Sequence, residues 1–480
     1  MAANVKVSQL QEWGLPGTST DPIIRAGMKA ANSAIAQGVD PGTIEEGIKT
    51  LARNPASMKD DPILGPVAEA MLAEHPDGLN WVERPTPAPW TGWGEDQVDA
   101  PAIGQMRNAC RLPGAIRGAM MPDAHVGYGL PIGGVLAVRD AVVPYAVGVD
   151  IACRMRLSIL DAPVSGLMDR RDDLRRVLEE QTSFGVGACF KGEARRTHPV
   201  MDEDWSVGPV TARMKDKAWS QLGSSGGGNH FVEFGELEVP APVGIGGVLV
   251  PAGTHLALLS HSGSRGSGET VASHYSEMAK ALHPEMPRDL IHLAWLDLGS
   301  DEGQEYWRSM ELMGRYSSAN HELIHGRILA ALGIAPLTHV ENHHNFAWRE
   351  IVDGAEAIVH RKGATPAAEG ILGVVPGSMG DPGFIVRGLG NDASLRSCAH
   401  GAGRRMSRGE AFRNIDREEV RRYLSDKGVE LLSAGVDEAP MAYKDIETVM
   451  ASQKDLVDIV ATFRPRIVKM APDEGRQRRR

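Results

Sequence analysis

Residues 371–409 constrain this chain more than any other segment. They run Ile-Leu-Gly-Val-Val-Pro-Gly-Ser-Met-Gly-Asp-Pro-Gly-Phe-Ile-Val-Arg-Gly-Leu-Gly and reach His400 and Arg404 through Asn-Asp-Ala-Ser-Leu-Arg-Ser-Cys-Ala. Gly377, Gly380, Gly383, Gly388 and Gly390 are expected to interrupt any plain helix or strand. Such backbone suits a segment that passes close to another group, with amides free to bind an anion. His400 then stands before Gly401-Ala402-Gly403-Arg404. A histidine among glycines beside an arginine is a place for phosphoryl or nucleotidyl chemistry. The loop alone leaves a turn-rich surface segment as the alternative.

At 480 residues the chain holds one large domain or two to three ordinary ones, and 42% hydrophobic content is ample for a core. No apolar run approaches the ~20 residues that span a bilayer. The start, Met-Ala-Ala-Asn-Val-Lys-Val-Ser-Gln, lacks the apolar stretch of a signal peptide, so a cytoplasmic protein with no membrane partner is expected. Four cysteines (Cys110, Cys153, Cys189, Cys398) without a Cys-x-x-Cys are no disulfide framework and fit a reducing compartment. The net charge of −11 argues against a generally basic nucleic-acid binder. A local basic track remains, in Arg387, Arg396, Arg404, Arg405 and Arg408 and in the ending Arg476-Gln-Arg-Arg-Arg480. Aromatics at 5% are too few for a long base-stacking platform.

Residues 1–79 read as short helices. Asp21-Pro22, Asp40-Pro41 and Asp61-Pro62 each place a capping residue before a proline, and Ile44, Ile48 and Leu51 form one stripe. Residues 80–95, rich in proline and tryptophan, read as a linker, so the chain divides into a helical extension (1–95), a catalytic region (96–470) and a polar basic tail (471–480). In the catalytic region, strands are expected at 135–138, 156–160, 248–250 and 256–259, and helices at 166–183, 267–282, 301–332, 416–427 and 445–462. Strands and helices do not alternate strictly, which favours an α+β fold of mixed sheets and helices over a doubly wound sheet.

Several strand-end motifs carry polar chemistry. Asp150 and Cys153 lie three apart and can share a metal, although a small buried cysteine is the commoner reading of that pair alone. Gly223-Ser-Ser-Gly-Gly-Gly leads into Asn229-His230-Phe231-Val232-Glu233, placing a histidine at a strand start. Leu258-Leu-Ser-His261-Ser-Gly-Ser-Arg265 ends a strand in a histidine and opens into a turn suited to phosphate. Glu341-Asn-His343-His344-Asn345 and Arg361-Lys362-Gly follow. A mixed Cys/His/Asp set suits Mn²⁺ or Zn²⁺ better than Mg²⁺ or Ca²⁺, and two metals about 4 Å apart serve in-line phosphoryl displacement. His321-Glu322-Leu-Ile-His325 matches the zinc-protease pattern, yet a helical wheel puts both histidines on or beside the stripe of Tyr306, Met310, Met313, Ile324 and Ile328, where packing explains them. No Gly-Lys dipeptide occurs, so there is no Walker site.

In this order, the motifs resemble the RtcB family of RNA ligases. The matching pieces are Met121-Pro-Asp123-Ala-His125-Val-Gly-Tyr-Gly, Gly148-Val-Asp150-Ile-Ala-Cys153, Gly228-Asn229-His230-Phe-Val-Glu233, His261-Ser-Gly-Ser-Arg265-Gly, His343-His344-Asn345, Arg361-Lys362-Gly-Ala, Pro376-Gly-Ser378-Met379-Gly, His400-Gly-Ala-Gly-Arg404, Pro440-Met-Ala-Tyr-Lys-Asp-Ile and Lys469. The resemblance covers about 96–470. It implies an enzyme that joins RNA 3′-phosphate or 2′,3′-cyclic phosphate ends to 5′-hydroxyl ends, in RNA repair or tRNA processing, using GTP and two Mn²⁺ through a guanylated histidine. It implies Asp150, Cys153, His230, His261 and His344 as manganese ligands, with Cys153 bridging both ions, and His400 as the nucleophile that takes GMP. Asn229, His230, Phe231, Val232, Glu233, His344, Asn345, Pro376, Gly377, Ser378, Met379, His400, Gly401, Ala402, Gly403 and Lys469 are implied around the guanylate. Arg265, Lys362 and Arg404 are implied to hold phosphates or RNA ends. An archease-like activator and a monomeric state go with the same expectation. The family usually has glycines where this chain has Ala152 and Arg154, and many members have a serine at Gly383; a cation beside Cys153 is expected to weaken metal binding or to contact RNA. The alternatives are a metal-dependent phosphatase or nuclease without guanylation, and a non-catalytic RNA-end-binding protein.

Overall fold

A computed structural model describes residues 5–15, 22–53, 58–59, 61–74, 81, 84 and 86–473. The chain forms two compact units, Met1–Val82 and Glu83–Arg480. In the first, the described helices are Val7–Glu12, Pro22–Ala36, Pro41–Arg53 and Gly65–Glu74. Asp61 caps the last of these, its Oδ1 accepting from the amides of Ile63 at 2.9 Å and Leu64 at 2.8 Å. The Ile44, Ile48 and Leu51 stripe packs with Leu10, Ile23, Ile24, Leu64, Val67 and Met71 into a core of its own. Each such aliphatic side chain, fully buried, contributes about 1.5–3 kcal/mol.

The unit boundary falls earlier than the composition shift near residue 95. Trp90–Gly92, expected as linker, is a strand pairing in parallel with Gly118–Met120, and the Trp93 indole Nε1–H donates to the Asp455 carboxylate. The ending Arg476–Arg480 lies outside the described residues.

Two large sheets, three two-stranded ribbons and their covering helices make up the described part of the second unit. The smaller sheet orders its strands Trp90–Gly92, Ala115–His125, Ile132–Val138, Ala355–Lys362, Asn345–Val352. The larger runs Pro336–His343, Arg154–Leu160, Gly253–Ser262, Phe231–Val239, Val457–Met470, Gly383–Gly388, Leu372–Val375, with Glu430–Ser433 pairing beside Val457–Met470. The α+β expectation holds. One chain segment passes from the larger sheet to the smaller: Pro336–His343 ends, His344 turns, and Asn345–Val352 begins.

Alternation along the larger sheet gives it two different faces. Val232, Phe234, Leu256 and Leu258 face the long helix Asp301–Leu332 and pack with its Ile324 and Ile328. Met155, Leu157, Ala257 and Leu259 face the other way, with Val374, Ile385 and Phe463. The long helix spans the residues expected for it. Ser300 Oγ accepts from Gly303 N at its start, and Gly333 ends it in the left-handed region at φ 66°.

Three expectations are corrected. The helix expected over 445–462 stops at Ala451, and Val457–Met470 is a central strand between Phe231–Val239 and Gly383–Gly388. The β-branched run from Val457 to Thr462 suits that slot better than a helix. The helix expected over 166–183 is two, Gly166–Asp169 and Arg171–Gln181, broken at Arg170. In the glycine-rich stretch, Gly383 and Gly388 do not interrupt a strand but bound one: Leu372–Val375 and Gly383–Gly388 form a hairpin joined by residues 376–382.

Candidate active site

Three strand ends and one turn meet where the sheets adjoin. Cys153 precedes Arg154–Leu160, His230 precedes Phe231–Val239, His261 lies near the end of Gly253–Ser262, and His344 occupies the crossing between sheets. Cys153 pairs sit side by side because Met155 is in register with His261, and Phe231 with His261. The thiol Sγ lies 3.0 Å from His261 Nε2 and 3.4 Å from His230 Nε2. His261 Nε2 lies 3.3 Å from His344 Nε2. The ligand atoms of Cys153, His230 and His261 all fall within 4.8 Å of one another, and all four side chains are buried.

His261 Nδ1 stands 3.0 Å from the Asn229 carbonyl, so it carries the hydrogen and Nε2 presents its lone pair to the cluster. Burial pushes His261 down to about 3 and holds His230 and His344 well below the usual imidazole range, all three neutral. Burial, and then Asp150, holds the Cys153 thiol well above its ordinary range. The donor set fits a borderline divalent cation: sulfur and imidazole nitrogen converge, and the ring atoms His230 Nδ1 and His344 Nδ1 are buried with no hydrogen-bond partner. Asp150 lines the same cavity as Cys153 and His261 without joining the three-residue cluster. The loop before His230 needs glycine, because a Cβ on Gly226 would lie 1.8 Å from His230 Nδ1.

His400 lies on the other side of His344, ring centroids 5.1 Å apart. Its Nδ1 is 2.6 Å from Asp123 Oδ2, and that oxygen also accepts the His400 amide at 3.0 Å and the Gly401 amide at 3.3 Å. Asp123 is fully buried. The carboxylate therefore accepts a hydrogen bond from Nδ1–H, fixes the ring, and leaves Nε2 with a free lone pair. Gly403 makes this approach possible: its φ is +73°, and a Cβ there would lie 2.1 Å from the Asp123 carbonyl oxygen. Sequence reasoning gave Asp123 no role. The signal was present, since a lone carboxylate inside Ala119-Met-Met-Pro-Asp-Ala124 must find a partner when buried.

A cavity of about 810 Å³ joins these groups. Its wall includes Asp150, Cys153, Asn229, Phe231, Glu233, His261, His344, Asn345, Lys362, residues 376–379 and residues 400–404. A neighbouring cavity of about 590 Å³ shares Asp150, Asn229 and Arg408 with it and adds His230, Arg265 and Lys217. The cluster thus stands between a nucleotide-sized space and a second polar one. Burial raises Glu233 well above the carboxylate range, a group on the cavity wall that can meet ring N–H donors. Asn345 ties the crossing to both neighbours: its Nδ2 donates to the Asp150 carbonyl at 3.2 Å and its Oδ1 accepts the Gly363 amide at 2.6 Å.

Some expected residues are engaged elsewhere. Val232 faces the helix side and belongs to the core. Lys469 donates to the carbonyls of Leu178 at 3.1 Å and Glu179 at 3.2 Å, at the end of Arg171–Gln181, and does not reach the larger cavity. Lys362 donates to the carbonyls of Tyr128 at 2.5 Å and Leu130 at 3.1 Å, and burial pulls it down to about 7. Arg404 donates to the Asp437 carbonyl at 2.9 Å and pairs with Glu438. Arg265 reaches Ser224 Oγ at 3.2 Å and the Gly185 carbonyl at 3.1 Å, on the wall of the second cavity.

Arg154 is not turned toward the cluster. Its guanidinium goes to the helix face, pairing with Glu341 and donating to the Gly314 carbonyl at 3.2 Å, with His343 Nδ1 at 2.9 Å. Arg156 binds the other Glu341 oxygen at 2.6 Å. Strand alternation sends Arg154 and Cys153 to opposite faces, so the guanidinium does not lie beside the thiol. Gly383 abuts Pro376, where a Cβ would lie 3.2 Å from the Pro376 Cα. His321 and His325 are packed: Ser260 Oγ lies 2.7 Å from His321 Nδ1 and 2.8 Å from His325 Nε2, and Ser158 Oγ lies 2.8 Å from His325 Nδ1. Among the described residues, no helix is long and apolar enough to cross a membrane.

Comparison with known proteins points to one family. Residues 105–470 match the family described as tRNA-splicing ligase RtcB. The RNA-splicing ligase RtcB of Escherichia coli (strain K12) is 31% identical over 397 residues, covering 76% of this chain and 93% of the relative. The RNA-splicing ligase RtcB of Mycobacterium tuberculosis is 31% identical over 431 residues, 75% of this chain and 98% of the relative. The tRNA-splicing ligase RtcB of Methanococcus maripaludis is 31% identical over 415 residues, 72% and 86% respectively. With the family pattern matched over most of its length, this chain belongs to the RtcB family.

Proposed function

We propose that this protein is an RNA ligase that uses GTP and Mn²⁺ to join a 3′-phosphate or 2′,3′-cyclic phosphate end to a 5′-hydroxyl end. The observation that carries the reading is His400, oriented by buried Asp123 and sharing one cavity with Cys153, His261 and His344 of the cluster. The relatives named above as RNA-splicing ligases support the same reaction class.

In this reading Asp150, Cys153, His230, His261 and His344 hold manganese, whose charge offsets the negative charge on the reacting phosphates. His400 Nε2 attacks the α-phosphorus of GTP, a P–N bond forms, and pyrophosphate leaves. Asp123 keeps the Nδ1 proton in place and stabilises the ring as it becomes cationic. The RNA 3′-phosphate then takes GMP from His400, breaking the P–N bond. The 5′-hydroxyl attacks that activated phosphate, loses its proton, and displaces GMP as the phosphodiester forms. A cyclic phosphate is first opened by water to the 3′-phosphate. Glu233 suits guanine, whose N1–H and amino group are both donors. Asn229, Phe231, Asn345, residues 376–379 and residues 401–403 complete the nucleotide wall, and Arg265, Lys362 and Arg404 serve the phosphates or RNA ends.

The test is incubation with Mn²⁺ and α-³²P-GTP, a denaturing gel, and His400→Ala alongside. A label that acid removes, alkali spares and the variant lacks is the expected result. Absence of label in protein shown to hold manganese would sink guanylation and favour a metal-dependent phosphatase or nuclease.

A further inference from the structure

Two exposed apolar side chains stand on the wall of the His400 cavity. Tyr128 is 64% exposed and Val126 is 50% exposed, and both line the cavity. The backbone beneath Tyr128 is fixed. Gln105 Nε2 donates to the Gly127 carbonyl at 2.5 Å, Gly127 N donates back to Gln105 Oε1 at 3.0 Å, and Lys362 holds the Tyr128 carbonyl at 2.5 Å. Other rings support the tyrosine: Tyr145 at 6.1 Å and His292 at 5.7 Å between centroids, themselves edge to face at 5.0 Å. Lys280 Nζ stands 4.9 Å from the Tyr145 ring centroid. An anchored main chain with an exposed ring is an arrangement ordered before anything binds, so stacking on it costs little conformational entropy.

We infer that Tyr128, backed by Tyr145 and His292, is a stacking ledge for a nucleobase of the single-stranded RNA next to the end being joined. The inference rests on the ligase reading. RNA ends are recognised with their bases unstacked and laid on aromatic faces, and every base offers such a face. Tyr128 presents no carboxylate or amide that would select one base, whereas Glu233 supplies that chemistry for guanine. The ledge therefore belongs to the RNA and not to the nucleotide, and it confers grip without sequence preference.

The experiment measures binding of two short oligoribonucleotides, one 3′-phosphorylated and one with a 5′-hydroxyl, to full-length wild type, Tyr128→Ala and Tyr128→Phe. Each oligonucleotide is also made with an abasic site at the first or second position from its end. Expected is about a tenfold weakening by Tyr128→Ala for one of the two oligonucleotides, with Tyr128→Phe binding like wild type. The abasic site at the contacted position should abolish the difference between variants, and in ligation KM for that strand should rise while kcat holds. Equal binding by all three proteins overturns the ledge, as does a loss that persists with every abasic oligonucleotide, or no measurable binding to wild type. A loss of GTP labelling without a loss of RNA binding assigns the ring to guanine instead and overturns it too. Wild-type labelling with α-³²P-GTP is read separately, so failure of the ligase reading is visible apart from failure of the ledge.

Discussion

The strand Gly253–Ser262 carries a buried histidine site on each face, and the two differ in how their nitrogens are occupied. Toward the long helix, Ser260 joins His321 and His325, Ser158 takes the second His325 nitrogen, and the Ser262 carbonyl lies 3.2 Å from His321 Nε2. Every ring nitrogen of that pair has a hydroxyl or carbonyl partner. Toward the cavity, one residue along, His261 meets Cys153, His230 and His344; there the Nε2 atoms neighbour one another and a thiol, His261 Nδ1 meets the Asn229 carbonyl, and the other two Nδ1 atoms have no hydrogen-bond partner. Burial makes both groups neutral, so electrostatics does not separate them. Hydrogen-bond accounting does. A satisfied imidazole is structural, while imidazoles whose lone pairs converge with a thiol leave room for a cation.

The sharpest way to break this contrast is to remove one histidine from each face. His261→Ala should lower manganese affinity by more than the roughly 10–100-fold that loss of an outer partner costs, read as metal per chain after dialysis, and should abolish any manganese-induced rise in Tm. His325→Ala should leave the metal content unchanged. If His325→Ala strips the metal as completely, the helix pair is not merely structural and the contrast fails.

A second comparison lies between the cluster histidines and His400. Of these four rings, His400 is the one that meets a carboxylate, beside His230, His261 and His344 that do not. Asp123→Asn keeps the size and one amide-accepting oxygen but favours the wrong tautomer, so labelling by α-³²P-GTP should fall by about 10²-fold or more. Manganese content should stay at the wild-type level. Metal loss in Asp123→Asn would show that the carboxylate serves the cluster and not the nucleophile.

The helix-side site sets a smaller effect. His325→Ala leaves the buried Ser158 hydroxyl without its His325 partner, at about 1–3 kcal/mol, while Ser260 keeps His321. Urea unfolding should report a loss of that order with unchanged slope. His325→Gln, which can bond one of the serines, should recover part of it.

These contrasts were unevenly legible in the sequence. The ligand candidates stood at strand ends with glycine-rich turns, and the motif order identified the family, so Cys153, His230, His261, His344 and His400 were all named. The packing of His321 and His325 followed from the helical wheel. What stayed hidden depends on pairing distant in sequence. Asp123 reaches His400 across 277 residues, and Val457–Met470 becomes a strand because the sheet has a central place for it. The direction of Arg154 needs the strand phase and the partner Glu341 on Pro336–His343. Lys362 and Lys469 end on backbone carbonyls that no motif announces.

Ala152 links the two faces, and it supports the finest test. It adopts φ +57°, in the left-handed region, where an L-residue costs about 1–2 kcal/mol. Its amide donates to the Asn345 carbonyl at 2.7 Å on the cavity side, and its carbonyl accepts from Ser317 Oγ at 2.8 Å on the helix side. The turn thus sets Cys153 toward the cluster and Arg154 toward Glu341 while anchoring to both. Glycine would relieve the backbone cost but lose about 0.5–1 kcal/mol to greater freedom in the unfolded chain. Ala152→Gly should therefore stabilise the protein by only about 0.5 kcal/mol, with manganese content and GTP labelling unchanged. A loss of stability instead would mean that the buried methyl packs well enough to outweigh the strain. A loss of metal would mean that the stiffness of this turn, and not only the identity of the ligands, holds Cys153 beside His261.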